Sequence, residues 1–418
     1  MIMVCAVRRA VAVGVAALLL SSCAHAVDVE TSDVGGGVEV ATSASVSTQK
    51  PQTDLAALVD PVVHATMDQL AVPGAVVLVQ ERNVLWQNAY GTRTVGQDVP
   101  VTVGDHFRIG SITKTMVGTV VLQLVESGAL ALTDPVSSFR SDVPNGDSIT
   151  IADLLEMQSG LYSYTENSYF NTVLDENPGR VWDPEELLAI GFGGAPYSPP
   201  RQEFRYTNTN TVLLGTIVES ILGTDLRNIL ADRIFEPLGL DDTSFPASED
   251  AELPDPHPHG YLFGTNESAR ISVKLSSAQV DNARSGVLVP NDVTDLNPSW
   301  IWAAGGAIST AADIATYGRA LVRGEEILGK DLQSRRIGSV TLEPDNPSPG
   351  DYGLAWQAYG PLIGHDGAIP GFQSFMGHDP VSDTTIVVLC NVRDGPAGGR
   401  PANEIAMGVL QRLQSGMK

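Results

Sequence analysis

The sequence predicts an α/β fold in which a mainly antiparallel sheet, flanked by helices, carries a mostly helical inserted lobe. Two observations lead there: β runs lie at both ends of the chain from residue 54 onward, and helical periodicities fill the stretch between them. Composition supplies a third. With 43% apolar and 18% charged residues, the 418-residue chain is globular, and its length suits one large two-lobed unit or two to three ordinary domains.

Leu55, Leu58, Val59, Val62, Val63 and Met67 recur at helical spacing, and Pro73-Gly74 breaks that helix. Ala75 to Gln80 and Val84 to Tyr90 read as strands joined by a turn at Arg82-Asn83. Phe107-Arg108-Ile109-Gly110 leads into a long helix whose inward residues are Val117, Val120, Val121, Leu124 and Val125, and Gly128 ends it. Ile151 to Met157 and Thr211 to Leu222 are the clearest helices of the middle region. Pro196, Pro199 and Pro200, and the stretch Pro254 to His259, mark loops. Thr310 and Asp313 have capping-box spacing before another helix. Tyr352 to Asn391 returns to short β runs, and Ala402 to Leu413 closes as an amphipathic helix. The sheet lobe should therefore take about residues 54–129 and 301–418, and the helical lobe about 130–300.

Charge narrows the function. The net charge is −24, which argues against nucleic acid as a partner, since binding it needs a basic face to displace counterions. It also disfavours electrostatic docking on anionic lipid. The first 22 residues read as an export signal: Arg8 and Arg9, then an uncharged apolar run from Ala10 to Leu20, too short for a membrane-spanning helix. The run ends in Leu20-Ser21-Ser22-Cys23, which resembles a bacterial lipobox. The expectation is a lipid on the Cys23 thiol, a flexible tether over 23–53, and a mature domain over 54–418 held at the outer side of the cytoplasmic membrane. Of the three cysteines, Cys5 leaves with the signal, and Cys390 lies in an apolar run and reads as a small buried hydrophobe, so a disulfide framework is not expected.

Three short motifs carry chemistry. Ser-x-x-Lys occurs at Ser47/Lys50, Ser111/Lys114 and Ser415/Lys418. Only Ser111 stands where a glycine-preceded turn enters a long apolar helix. There Ser and Lys share a helix face, and the free N–H groups of the helix start favour oxyanion charge. Lysine suits a proton shuttle because burial can lower its pKa, and this chain has five lysines against 20 arginines. Tyr206-Thr207-Asn208 precedes a helix; Tyr169/Asn171 is its decoy. A Tyr206 phenolate stabilised by Lys114 could take the serine proton, and Asn208 could hold the lysine and a substrate amide. His365-Asp366-Gly367 follows a β run, and the backbone N–H of Ala368 could serve as an oxyanion donor.

Competing chemistries are weaker. Gly-x-Ser-x-Gly and His-Glu-x-x-His are absent from the sequence. Gly324 to Lys330 approximates a phosphate-binding loop, but Asp331 stands at the Mg²⁺-ligand position and Glu325 and Glu326 would repel phosphate. His257 and His259 lack a third metal ligand nearby. No metal and no cofactor is expected.

Ser-x-x-Lys, Tyr-x-Asn and His-x-Gly, in that order, resemble the penicillin-recognising serine hydrolases, in the branch of class C β-lactamases, serine D-alanyl-D-alanine carboxypeptidases and related esterases. Val72-Pro-Gly-Ala, Leu130-Ala-Leu-Thr-Asp-Pro, Ser159-Gly-Leu, Pro237-Leu-Gly-Leu, Gly305-Gly and the strands from Gly353-Leu to Gly371 extend the likeness over about 54–415. The resemblance implies a sheet lobe and a helical lobe with the site between them. It implies Ser111 as acylated nucleophile, Lys114 and Tyr206 as proton-transfer partners with the base left open between them, Asn208 as a positioning group, and His365 lining the site from a strand. Class C enzymes carry Lys-Thr-Gly where this chain has His365-Asp366-Gly367, which tilts the expectation from β-lactamase to carboxypeptidase. Met157-Gln158 replace the His-Thr of many relatives. The expected substrate is a small D-alanyl-D-alanine peptide of the cell wall; an ester or a β-lactam is the alternative within the family, and a non-catalytic envelope-binding lipoprotein the alternative outside it.

Overall fold

The computed structural model of the protein describes residues 52–271, 274–340 and 349–415. The expected signal, Cys23 and most of the tether lie outside them, as do Ser47, Lys50 and Lys418. Among the described residues no helix is long and apolar enough to cross a membrane.

Seven strands form the main sheet: β1 (Gly74–Glu81), β2 (Val84–Gly91), β3 (Pro349–Tyr352), β4 (Gln357–Tyr359), β5 (Leu362–Ile369), β6 (Phe372–Asp379) and β7 (Thr384–Cys390). Their order is β2-β1-β7-β6-β5-β4-β3, with every neighbour antiparallel. The β runs at the two ends of the domain thus join, and β1 lies between its hairpin partner β2 and the last strand. In register, Ala75 faces Cys390, Val77 faces Val388 and Val79 faces Ile386.

Those six residues share one apolar core with α1 (Gln52–Leu70) and α7 (Pro401–Ser415), through Leu55, Val59 and Val63 and through Ile405, Val409 and Leu413. The alternate residues Val76, Leu78, Val387 and Leu389 belong to the opposite core. That core also takes α2 (Ile112–Glu126) and α5 (Ala311–Arg323), and runs on into α3 (Ile151–Leu155) and α4 (Asn208–Leu222). Burial on both faces is why β1 and β7 read as continuous apolar runs rather than as alternating patterns. Cys390 is fully buried, and burial pushes its thiol pKa up, in keeping with a packing role.

Between α2 and Gly305 the described chain is helix and loop, apart from a two-residue ladder pairing Tyr261–Leu262 with Asn291–Asp292. Two helix ends differ from the sequence expectation. The first ends at Leu155 rather than Met157, because Met157 turns to a positive φ of 56° and its carbonyl accepts from the Arg205 amide. The other begins at Asn208 rather than Thr211, since its first turn, Asn208-Thr209-Asn210, is polar and carries no apolar period. Thr310 caps α5 by accepting from the Asp313 amide, but the Asp313 carboxylate binds the Asp242 amide and the Thr243 hydroxyl instead of closing a capping box. The glycine-rich stretch at 324–330 ends α5 at Gly324, which has φ +71°, and connects it to α6 (Lys330–Ile337).

Candidate active site

Ser111 is the residue before the first turn of α2, the place where a serine ordinarily caps a helix. It makes no cap hydrogen bond. Its Oγ lies 2.9 Å from the Nζ of Lys114, one turn further along. The Lys114 amine also lies 2.5 Å from the carbonyl oxygen of Ala304.

Ala304 arrives by way of a clamp. Phe107–Arg108 pairs with Ile308–Ser309, the Ile109 amide donates to Ala307, and the Ala307 amide donates to the Thr113 hydroxyl. The Gly305-Gly306 segment is thereby held against the strand that enters α2, and the carbonyl just before it faces the lysine. Lys114 is fully buried. Burial drives its pKa well below the ordinary lysine value, and the Asp366 carboxylate opposes this only in part. A neutral amine has two N–H groups and one lone pair. With an N–H given to Ala304, the lone pair is free to accept the Ser111 O–H.

The backbone of β5 closes the other side. Strand β4 pairs only with Leu362, Ile363 and Gly364, so beyond Gly364 the edge of β5 opposite β6 is open to the turn that enters α2. Gly110 has φ +52°, and a β-carbon on it would stand 3.1 Å from the Ala368 amide nitrogen. A β-carbon on Gly367 would stand 2.2 Å from the Ile109 carbonyl oxygen, and the Ser374 hydroxyl donates to that same oxygen at 2.7 Å. Glycine at both positions lets β5 and its Ala368 amide come up against the turn that ends in Ser111, which makes the Ser111 and Ala368 amides the candidate pair of oxyanion donors.

Tyr206 comes from the loop entering α4. The Lys114 amine sits 5.1 Å from the centre of its ring. Burial raises the phenol pKa above its ordinary value; contact with Ser111 lowers it, Asp366 raises it and Arg400 lowers it. Asn208 opens α4. Its backbone amide donates to the Ser163 hydroxyl at 3.1 Å and its Nδ2 donates to Thr165 Oγ1 at 3.0 Å. Its Oδ1 is buried without a partner. The lysine ligand expected of Asn208 is instead the Ala304 carbonyl, and the Asn208 amide is anchored to the Ser163–Thr165 loop.

His365 lies on β5 and is 1% exposed. Its Nδ1 is 2.5 Å from the Asp366 carbonyl oxygen and its Nε2 is 3.1 Å from the Tyr352 hydroxyl. Both ring nitrogens are therefore engaged within the protein. On the next residue, the Asp366 carboxylate accepts from Tyr359 at 2.9 Å and from Arg400 at 2.6 Å. Of the decoys, Tyr169 is 65% exposed, whereas Asn171 lines the cleft in front of Ser111 but commits its amide to the Thr165 and Asn167 carbonyls. His259 pairs with Asp292 at 2.6 Å.

Sequence reasoning had named Ser111, Lys114, Tyr206, Asn208, His365, Gly367 and Ala368; Ser111, Asn208 and Ala368 line a cleft of about 510 Å³ together with Thr165, Arg270 and Arg393, Lys114 is bonded to Ser111, Tyr206 and His365 pack in turn beside Lys114, and Gly367 lies against the turn before Ser111. Sequence reasoning missed Ala304 and Tyr352. Ala304 acts through its backbone, for which the Gly305-Gly306 pair was the only signal. Tyr352 had no signal beyond starting a β run.

Comparison with known proteins gives a consistent picture. The beta-lactamase family model matches residues 59–410. Penicillin-binding protein 4 of Amycolatopsis lactamdurans is 27% identical over 337 residues, covering 77% of this chain and 81% of that protein. The D-stereospecific amidohydrolase of a Streptomyces species is 28% identical with a TM-score of 0.68, covering 85% of this chain and 97% of that one. The D-amino acid amidase of Ochrobactrum anthropi, 22% identical with a TM-score of 0.73 over 87% of this chain and 100% of that one, shares the fold.

Proposed function

The chain belongs to the beta-lactamase family of serine hydrolases, and from that premise we propose that it is an exported lipoprotein that works through an acyl-enzyme on Ser111, cleaving cell-wall peptides in the manner of a D-alanyl-D-alanine carboxypeptidase. One observation supports the acyl-enzyme at its centre: a fully buried Lys114 whose amine stands 2.9 Å from the Ser111 hydroxyl and 2.5 Å from the Ala304 carbonyl.

The chemistry follows from that geometry. The Lys114 lone pair takes the Ser111 proton as Oγ attacks the substrate carbonyl. Charge developing on the carbonyl oxygen is met by the amides of Ser111 and Ala368. Burial favours the neutral amine at Lys114 and the protonated phenol at Tyr206, so the base role falls to Lys114. Tyr206 then passes a proton to the departing amine, and Lys114 returns the proton it took from the serine to the phenol. The C–N bond breaks, an ester to Ser111 remains, and water cleaves it by the same route in reverse.

A second reading is favoured by the 28% identity to a D-stereospecific amidohydrolase: the leaving group is ammonia or a small amine from a D-amino acid amide. One experiment separates them. Purified protein is given a peptide ending in D-alanyl-D-alanine and, in parallel, D-amino acid amides, and released D-alanine and ammonia are measured. Release of D-alanine with formation of a Ser111 ester, seen as an intact-mass adduct, supports the first reading. Turnover of the amides alone supports the second. A protein that is never acylated by either, nor by a β-lactam or a fluorophosphonate, is not a serine hydrolase.

A further inference from the structure

Tyr206 stands at the Ser111–Lys114 pair, and a second tyrosine, Tyr352, packs against it. Their rings meet edge to face, with centroids 5.9 Å apart. The Tyr352 ring is 5.6 Å from the His365 ring and the Tyr206 ring is 6.1 Å from it, so the three form one packed set. On its outer side Tyr352 also meets Phe204, at 5.8 Å.

The proton on His365 can be placed. Nδ1 faces the carbonyl oxygen of Asp366, which can only accept, so Nδ1 carries the hydrogen. Around the ring stand Asp366, Lys114 and Arg400; with burial as the largest influence, the imidazole pKa falls to about 4, and the ring is neutral. In a neutral ring Nε2 then has a lone pair and no hydrogen, and the Tyr352 O–H donates to it across 3.1 Å. Around Tyr352 itself are Tyr206, Asp366 and the guanidinium of Arg336. Arg336 is fully buried and donates to Thr119 and to the Leu354 carbonyl. The hydroxyl of Tyr352 thus has a fixed acceptor, while that of Tyr206 interacts with Ser111.

We propose that Tyr352 is the positioning residue of Tyr206, and that His365 serves the reaction by anchoring the Tyr352 hydroxyl rather than by touching substrate. The anchored ring gives Tyr206 a rigid wall, and its committed hydroxyl does not compete for the serine or for the leaving group. This rests on the acyl-enzyme reading of Ser111.

A double-mutant cycle tests it, with kcat and KM measured on a chromogenic ester or whichever substrate is turned over. Tyr352→Phe keeps the ring and removes the hydroxyl. His365→Leu removes the acceptor, and His365→Gln retains one. Each of Tyr352→Phe and His365→Leu is expected to lower kcat by on the order of 10-fold with KM little changed, since small misplacements of a reacting group carry costs of this size. The double variant should be no more than about twofold below either single, because both remove the same bond. His365→Gln should recover most of the loss. Multiplying losses, or a raised KM in His365→Leu that survives in the Tyr352→Phe background, would overturn the proposal and put His365 on the substrate. Stoichiometric labelling of Ser111 by a fluorophosphonate is read for every variant. If the wild type is not labelled, the acyl-enzyme reading has failed. If all variants are labelled yet the losses multiply, only the present inference has. Thermal melts exclude any variant that does not fold, and the His365→Gln arm still decides.

Discussion

Gly367 lies directly under the carbonyl oxygen of Ile109, so that a β-carbon at 367 would come within 2.2 Å of that oxygen and 2.5 Å of the Ser374 hydroxyl. The glycine of the His-x-Gly motif is therefore a matter of clearance. It lets β5 approach the turn that ends in Ser111, and the Ala368 amide comes with it.

Gly367→Ala should part these two elements. Neither the backbone carbonyl nor the hydroxyl bonded to it can yield without losing the hydrogen bond between them. A loss of at least about 10²-fold in acylation rate is expected from displacing an oxyanion donor, at a stability cost of about 1–3 kcal/mol for overpacking. Stopped-flow acylation and a melt on the same sample would check both. Near-native acylation would mean that Ala368 is not a donor to the oxyanion.

Ser111→Ala should abolish covalent labelling by a β-lactam or fluorophosphonate, and Ser415→Ala should not. The second serine is exposed at the end of α7, and its hydroxyl donates to the Gln411 carbonyl. Intact-mass spectrometry reads the outcome, and an adduct that survives in Ser111→Ala would remove Ser111 from its role.

How far the sequence reached can be judged from these same residues. The long helix behind Ser111 was legible from the helical spacing of its apolar residues, and β1 and β7 from their short, continuous apolar runs. The pairing of the two chain ends was legible from the placement of β runs. Ser111 could be picked from three Ser-x-x-Lys matches because local context alone, a glycine turn before a buried helix, separates it from the others. What stayed hidden depends on distant contacts. Asn208 faces Thr165 because two loops far apart in sequence meet. Ala304 contributes only a carbonyl, which every residue has. Tyr352 acquires its role from His365 across a strand connection, and an isolated tyrosine carries no sign of that.

The anchor is tested by Cys23→Ser. Leu20-Ser21-Ser22-Cys23 follows an apolar run, and a lipid there would hold the protein at the membrane. The native protein is expected in the detergent phase on Triton X-114 partition of cells, and the variant in the aqueous phase. Equal partition of the two would exclude a lipid at Cys23.

Lys114→Arg should be nearly as damaging as Lys114→Ala, because arginine keeps a charge but does not accept a proton at working pH. Tyr206→Phe should cost about 10²–10⁴-fold in acylation, the usual scale for a proton-transfer group. The two losses should not add in the double variant, since both groups act on one proton path. Near-native acylation by Lys114→Arg, measured by burst kinetics, would leave the base role to Tyr206.

The buried amine also makes a statement about stability. In the folded protein the pKa of Lys114 is well below the ordinary lysine value; in the unfolded chain it returns to about 10.4. Between those two values the unfolded chain binds a proton that the folded one does not, so stability rises with pH across that interval. Below the folded value the protonated, buried ammonium gives the fold no further advantage, and the penalty is complete. Lys114→Met removes the titrating group while keeping a side chain of similar length. It should therefore be inactive, yet its melting temperature should climb less between pH 7 and pH 10 than that of the wild type. Near pH 7 it should equal or exceed the wild type, as expected where a site sacrifices stability for chemistry. Melts at several pH values on both proteins measure this directly. Parallel curves would mean that Lys114 keeps its proton in the folded state, and the lone pair assigned to Ser111 would not exist.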